Sequence, residues 1–378
     1  MNSGREMNFA HTGPTTLAGR FLRNFWQPVY VSDELIAGHA KPIKIMSEEL
    51  TLYRGDDGVA HVTQGRCPHR GVLLSIGAVE GSCVRCRYHG WKFDEGGQCV
   101  EQPFEAASFA AKVQIPSYAV QEYLGLIWVY LGEDAAPPMP QWPELEKYGR
   151  FHITVARACN YFQDMENLID DVHQLWVHRE GLYRDAERSG YVPQVSARET
   201  DFGVVQTVQF PTGFVRNLAL LMPNAVHFLS AAGMLRDFET FIWNVPVDDQ
   251  NHILFFLFLA AHLSPEAGDN VARVVRGARE YLNELPSVDE VSDSVMSGRV
   301  RWEDLEERPD LPILEDDIVL RSQGATVDRS AERLGSSDTA IILLRKLYTR
   351  EMAAIEEGRP LTRFKTPDVE TLAALADG

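Results

Sequence analysis

Cys67-Pro68-His69-Arg70 and Cys86-Arg87-Tyr88-His89-Gly90-Trp91 are the two short stretches that decide how this chain is read. Sixteen residues, Arg70 to Arg85, separate the two halves, enough for a strand and a loop. Each half pairs a thiol with an imidazole, as Cys-x-His and as Cys-x-x-His. Pro68, Gly71 and Gly90 are residue types that build tight loops. Two thiolates and two imidazoles also suit a structural zinc site, but zinc ligands usually come as Cys-x(2–4)-Cys and His-x(3–5)-His. Mixed pairs argue against that. Cys83 and Cys86 form a Cys-x-x-Cys, yet no βαβ pattern surrounds them, so a thioredoxin-like reading is weak.

The ligand set is that of a Rieske [2Fe–2S] centre, in which two histidines replace two cysteines on one iron. Cys67 and Cys86 hold one iron; His69 and His89 hold the other. Neutral imidazoles reduce the negative charge at the cluster and raise its potential above that of an all-cysteine ferredoxin. Zinc is the alternative occupant.

Composition sets outer bounds. The chain has 378 residues, room for two domains, and a net charge of −18. So acidic a chain is expected to avoid nucleic acid and anionic membrane surfaces. Its five cysteines, two claimed by the cluster, form no disulfide framework and fit a reducing, cytoplasmic setting. The polar start, Met1 to Thr16, has no apolar core of a signal peptide. Ile253 to Ala261, the longest apolar run, is too short to span a bilayer and reads as a buried strand.

Along the chain, Leu17, Phe21, Leu22 and Phe25 sit at helical spacing after Thr15 and Thr16. Residues 1–26 are therefore expected to be a helical lead-in packing on the second domain. From 27 to 134 the text turns to short β-rich runs and hairpin turns, such as Arg54-Gly55-Asp56-Asp57-Gly58. This predicts a small antiparallel β domain with the cluster loops at its tip. Residues 135–143, with Ala135-Ala136-Pro137-Pro138-Met139-Pro140, read as a linker. Residues 144–378 read as a larger α+β domain. Helices are expected at 161–178, 269–284 and 337–356, with strands at 203–210, 213–221, 225–231, 238–246 and 252–261. No Gly-x-Gly-x-x-Gly is present, so no dinucleotide-binding half is expected.

The 161–178 segment contains Asn167-x-x-Asp170-x-x-His173-x(4)-His178. Asp170 and His173 share a helix face. His178 lies about 140° further round a regular helix, so both imidazoles reach one metal only if the helix breaks between them. Two histidines and one carboxylate form the facial triad of non-haem Fe(II) oxygenases.

Cys-x-His, Cys-x-x-His and this second motif, in that order, resemble the catalytic α-subunit of Rieske non-haem iron oxygenases. Within that family the chain is most similar to the phthalate dioxygenase, α-only type. The resemblance runs from about Phe25 to Tyr348. It implies an N-terminal antiparallel β Rieske domain and a C-terminal helix-grip catalytic domain with an antiparallel sheet and helices. It implies mononuclear Fe(II) on His173 and His178, with Asp338 as the third ligand and Asp316 or Asp317 as runners-up. It implies a homotrimer in which His89 of one subunit meets Asp170 of its neighbour, making Asp170 the catalytic bridge. A separate NAD(P)H-dependent reductase or ferredoxin feeds electrons, and O2 and an aromatic, carboxylated substrate are consumed. O- or N-demethylation is the alternative reaction, and an electron-transfer protein without oxygenase chemistry is a further one. Phe162, Leu220, Met222, Asn224, His227 and Phe241 are the expected pocket residues. Arg216 and Arg236 are the basic side chains able to meet a substrate carboxylate, with ion pairing their more ordinary role.

Overall fold

The computed structural model describes residues 9–179, 192–229, 238–261, 263–305 and 307–376. Arg236 and the end of the strand expected at 225–231 lie outside the described residues. The chain divides into two compact units: His11–Gln141 with Val245–Asp249, and Met1–Ala10, Trp142–Asn244 and Gln250–Gly378. The expected lead-in over 1–26 is itself divided. Its helix, α1 (Leu17–Leu22), groups with the cluster-bearing unit. The reason is local: buried Arg23, at its C-cap, donates to Thr12 O and Met46 O and pairs with Glu48.

In that first unit, the strands are β1 (Gln27–Val31), β2 (Ala40–Ile45), β3 (Glu48–Arg54), β4 (Ala60–Gln64), β5 (Ala78–Glu80), β6 (Cys83–Arg85), β7 (Lys92–Phe93), β8 (Cys99–Glu101), β9 (Ser117–Tyr123) and β10 (Leu126–Tyr130). Six form an antiparallel sheet in the order β1-β10-β9-β4-β3-β2, and four a smaller one, β5-β6-β7-β8. The β3–β4 hairpin closes on the Arg54–Gly58 turn, as its turn residues imply. Tyr53, Leu74, Val84, Trp91 and Phe93 pack around Cys67 and Cys86, so the two ligand thiols sit in an apolar core.

The second unit holds β11 (Arg150–Arg157), α2 (Tyr161–Leu168), α3 (Gln174–Val177), β12 (Gln194–Glu199), β13 (Gly203–Gln209), β14 (Val215–Leu221), β15 (Ala225–Leu229), β16 (Glu239–Pro246) and β17 (His252–Leu259). Then follow α4 (Pro265–Leu282), α5 (Val288–Met296), α6 (Leu311–Ser322), α7 (Thr339–Glu356) and α8 (Val369–Ala376). Its strands run β11-β17-β16-β15-β14-β13-β12.

The two faces of this sheet carry different cover, because side chains alternate along a strand. Gln206 on β13 and Arg216 on β14 face the segment between α2 and α3. Gln206 Oε1 accepts from Asp171 N–H at 3.1 Å, and Arg216 pairs with Asp171 at 3.0 Å. Neighbouring positions face the other way, toward the C-terminal segment. Asn217 donates to Leu375 O, and Trp142 packs on Phe241 while donating to Pro367 O.

Helix α6 lies against α5, whose first turn is closed by a Ser287–Glu290 capping box. Leu311, Leu314 and Ile318 meet Val288, Val291 and Val295 between them. No helix among the described residues is long and apolar enough to cross a membrane.

Candidate redox and metal centres

The two cluster loops are built alike. Cys67 N–H donates to Val72 O at 2.8 Å and Gly71 N–H to Cys67 O at 2.9 Å. Cys86 N–H donates to Trp91 O at 2.9 Å and Gly90 N–H to Cys86 O at 3.0 Å. Each loop thus closes over five residues, and each turns back at a glycine with φ of 74° or 72°. That left-handed backbone is why glycine stands at both places.

Closure brings the four side chains together. Cys67 and Cys86 are 2% and 3% exposed. The His69 and His89 rings lie 4.5 Å apart, and Trp91 stacks on His69 at 4.6 Å. Burial pushes the Cys67 thiol up to about 11, and adjacent Cys86 adds to this, while the His69 and Arg70 N–H groups pull the other way. Two touching buried thiols ionise together only with a cation to share, and backbone N–H groups already aim at one sulfur. The donor set fits the [2Fe–2S] group of a Rieske centre. Burial, with His69 and Arg70, lowers His89, which favours the neutral imidazole a metal needs. Cys83 stays out of this arrangement, on β6 opposite Glu80.

The second centre forms where the expected 161–178 helix breaks. α2 ends at Leu168, and α3 resumes only at Gln174. His173 and His178 are the N-cap and C-cap of this four-residue helix, and their ring centroids lie 5.5 Å apart.

The carboxylate that meets them is Asp316, on α6. Its Oδ1 is 3.5 Å from His173 Nε2 and 3.3 Å from His178 Nε2, and the three ligand atoms lie within 4.8 Å of one another. That oxygen is buried with no hydrogen-bond partner, the arrangement a cation between the three groups completes.

The expectation that Asp338 supplies this carboxylate is corrected by the geometry. Asp338 accepts from Gly335 N–H in the turn ahead of α7, the ordinary work of a helix-start aspartate. Its charge reaches Asp170, adding to the rise that burial imposes on that carboxyl. Asp317 turns to α5, accepting from Ser292 Oγ at 2.6 Å.

Both imidazoles are anchored from behind. His178 Nδ1 bonds Glu315 Oε2 at 2.7 Å, with both side chains buried. His173 Nδ1 bonds the main-chain oxygen of Asp170, whose carboxylate stays 3.9 Å away. Each ring therefore presents Nε2 to the centre.

Behind Asp316 runs a buried chain of charge. Arg157 approaches Asp316 Oδ2 at 3.5 Å and pairs with Asp164 at 2.8 Å, and His252 Nε2 bonds Asp164 at 2.6 Å. Burial opposes ionisation of Asp316, but His173, His178 and Arg157 hold its carboxyl well below the usual range. Sequence reasoning missed Glu315, Arg157 and Asp164. Within the Glu315-Asp316-Asp317 run, the sequence alone offers Asp316 only as an alternative to Asp338.

The six expected pocket residues do not form one cavity wall. Phe162 stacks on Phe9 at 4.4 Å and meets Tyr348 edge-on. Leu220 shares the sheet face of Gln206 and Arg216. Met222 and Asn224 lie in the β14–β15 turn, where Asn224 donates to Asn244 O. His227 and Phe241 are cross-strand partners on the opposite face; His227 pairs with buried Glu239 and Phe241 meets Trp142. Arg216 is committed to Asp171 and donates to Gln174.

Comparison with known proteins agrees with the cluster centre. Residues 25–121 match the Rieske [2Fe-2S] domain family. The chain is 31% identical over 375 residues to the 5,5'-dehydrodivanillate O-demethylase oxygenase subunit of Sphingobium sp., covering 95% of this chain and 82% of that protein. It is 27% identical to the phthalate 4,5-dioxygenase oxygenase subunit of Pseudomonas putida, over 90% of this chain and 83% of that one. Among solved structures, dicamba monooxygenase bound to dicamba superposes with a TM-score of 0.64 at 20% identity, over 90% of this chain and all of that one. Similarity at this level across nearly the whole length establishes that the chain belongs to the Rieske oxygenases, as an oxygenase subunit.

Proposed function

We propose that this chain is the terminal component that hydroxylates an aromatic, carboxylated substrate, with mononuclear Fe(II) held by His173, His178 and Asp316. The observation that carries the reading is the convergence of two Nε2 atoms on one partnerless carboxylate oxygen, with both Nδ1 atoms tied down behind them. When bound, the iron supplies open positions for O2 and substrate, and the cluster supplies single electrons. Glu315 and the Asp170 main-chain oxygen orient the imidazoles. Arg157 keeps Asp316 ionised.

The electrons come from a separate NAD(P)H-dependent reductase or ferredoxin. The assembly is a homotrimer, in which His89 of one subunit faces Asp170 of its neighbour. Neither His89 nor Asp170 is fully buried within its own unit, which such a junction requires. The cytoplasm is the proposed location, and five free cysteines suit it. A second reading, O-demethylation of a methoxylated aromatic acid, is favoured by the relative that is 31% identical and is named an O-demethylase subunit.

The test is turnover of a panel of aromatic acids under ¹⁸O2 with a surrogate reductase. Ring-hydroxylated, ¹⁸O-labelled products support the first reading, and formaldehyde release with a free phenol supports the second. Substrate-dependent O2 uptake with no oxygenated product from any panel member contradicts both.

A further inference from the structure

An arginine immediately precedes each cluster cysteine, Arg66 before Cys67 and Arg85 before Cys86. The two do the same thing. Arg66 Nη1 donates to Gly71 O at 3.0 Å, and Arg85 Nη1 donates to Gly90 O at 2.8 Å. In each case the acceptor is the left-handed glycine whose own N–H closes the loop onto the cysteine carbonyl. The rest of each guanidinium is held by carboxylate. Arg66 pairs with Glu49 through Nε and Nη2. Arg85 takes Glu80 in a fork at 2.8 and 2.9 Å and Glu101 at 2.7 Å. Lys92 pairs with both of those acids at 3.3 and 3.6 Å.

We infer that Arg66 and Arg85 are paired positioning residues, each fixing the return of one cluster loop and so the bearing of its histidine, with Arg85 the stronger clamp. The Gly90 carbonyl is joined directly to His89 through one residue of backbone. Gly71 is two residues past His69. A planar guanidinium can hold a carboxylate and a carbonyl at once, and so couples a loop to the sheet beneath it.

The two clamps differ in strength for a visible reason. Arg66 and Glu49 are each half exposed, where ion pairs contribute little. Arg85 is 23% exposed, and its partners come from β5 and β8, on either side of its own strand in the small sheet. Gly90 is also closely seated, since a Cβ there would meet Pro103 at 3.0 Å. The second loop is thus framed on several sides and the first on one. This inference rests on the cluster alone and stands apart from the mononuclear centre.

The experiment uses the full-length, cluster-loaded protein as wild type, Arg85→Met, Arg85→Lys and Arg66→Met. The readouts are the electron paramagnetic resonance spectrum of the dithionite-reduced cluster, the rate of visible bleaching under a ferrous chelator, and the thermal midpoint. Arg85→Met is expected to broaden the spectrum and bleach about tenfold faster, as loss of a charge-assisted hydrogen bond implies. Arg66→Met is expected to bleach about twofold faster. Arg85→Lys keeps the charge facing Glu80 and Glu101 but cannot also span to Gly90 O. It is expected to keep the thermal midpoint and lose the bleaching resistance.

If Arg85→Met fails to load its cluster, the Glu80→Gln, Glu101→Gln double variant frees the guanidinium instead and is expected to behave as Arg85→Met does. Wild-type spectra and bleaching in Arg85→Met, or in the double variant, overturn the inference. So does full protection by Arg85→Lys, which would reduce the clamp to a charge pair that merely staples the sheet.

Discussion

Truncating Glu315 to alanine removes the group that fixes the His178 ring while leaving all three proposed iron ligands in place. The Glu315 and His178 side chains are only 2% and 4% exposed, and the bond between them is 2.7 Å long. A buried hydrogen bond to a charged group contributes about 1.5–3 kcal/mol, or roughly ten- to more than a hundredfold in an equilibrium constant. The independent expectation for a residue behind a metal-bound histidine is about 10- to 100-fold in metal affinity. Glu315→Ala should therefore weaken Fe(II) binding by about 30- to 100-fold, and Glu315→Gln, which still accepts from Nδ1, by about tenfold. The assay is Fe(II) competition with a chelator, on protein whose [2Fe–2S] absorbance verifies folding of the first unit. Fe(II) affinity within twofold of wild type for Glu315→Ala would refute the idea that His178 is oriented through this contact.

Asp170→Asn should keep both metals and lose nearly all turnover, because His173 is held by the Asp170 main-chain oxygen rather than its carboxylate; loss of iron in proportion to activity would remove the proposed bridging role. Arg157→Met leaves fully buried Asp164 with His252 as its one charge partner and should cost up to about 3–5 kcal/mol of stability, read as a lower denaturant midpoint; a midpoint at the wild-type value contradicts it. In iron-free protein, burial pulls His178 down but the nearby carboxylates of Asp316 and Glu315 outweigh it, and the group is pushed up to about 9. That contribution is complete below about pH 6.5 and is lost as pH rises through 9. Asp316, held low by the two histidines against its own burial, contributes above about pH 4 and loses its contribution below that. Iron-free protein should thus be most stable between about pH 4 and 6.5, and thermal midpoints that rise steadily from pH 6 to 9 would contradict the pairing.

The cluster was legible in the sequence because its ligands are local: each Cys and His pair lies within one turn, and the glycine that closes each turn is four residues past its cysteine. Angular spacing alone asked for a helix break between His173 and His178, but the structure breaks the helix earlier, between Leu168 and Gln174, and the two histidines cap the single turn of α3. The third carboxylate was not legible. Asp338 and Asp316 both sit on helical segments, and only tertiary packing turns one toward the histidines while the other closes a turn. Helix α6 also hid itself, since Leu311, Leu314, Glu315, Asp317, Ile318 and Leu320 are buried and acids interrupt any apolar stripe. Strand β11 alternates in burial only from Ile153 to Ala156, and its basic ends, Arg150 and Arg157, obscure the pattern further. The shared face expected of the pocket residues was not legible for a different reason. Residues on neighbouring strands can be identified as strand residues, but which sheet face they share depends on register, and a one-residue offset sends His227 and Leu220 to opposite faces.

The chain is proposed to hold a mononuclear iron on His173, His178 and Asp316 in addition to its [2Fe–2S] cluster. Iron and acid-labile sulfide per chain, measured on anaerobically purified wild type, Asp316→Ala and Asp338→Ala, tests it most directly. The account predicts three irons and two sulfides for wild type and for Asp338→Ala, and two irons and two sulfides for Asp316→Ala. Three irons retained in Asp316→Ala, with one lost from Asp338→Ala, would contradict it.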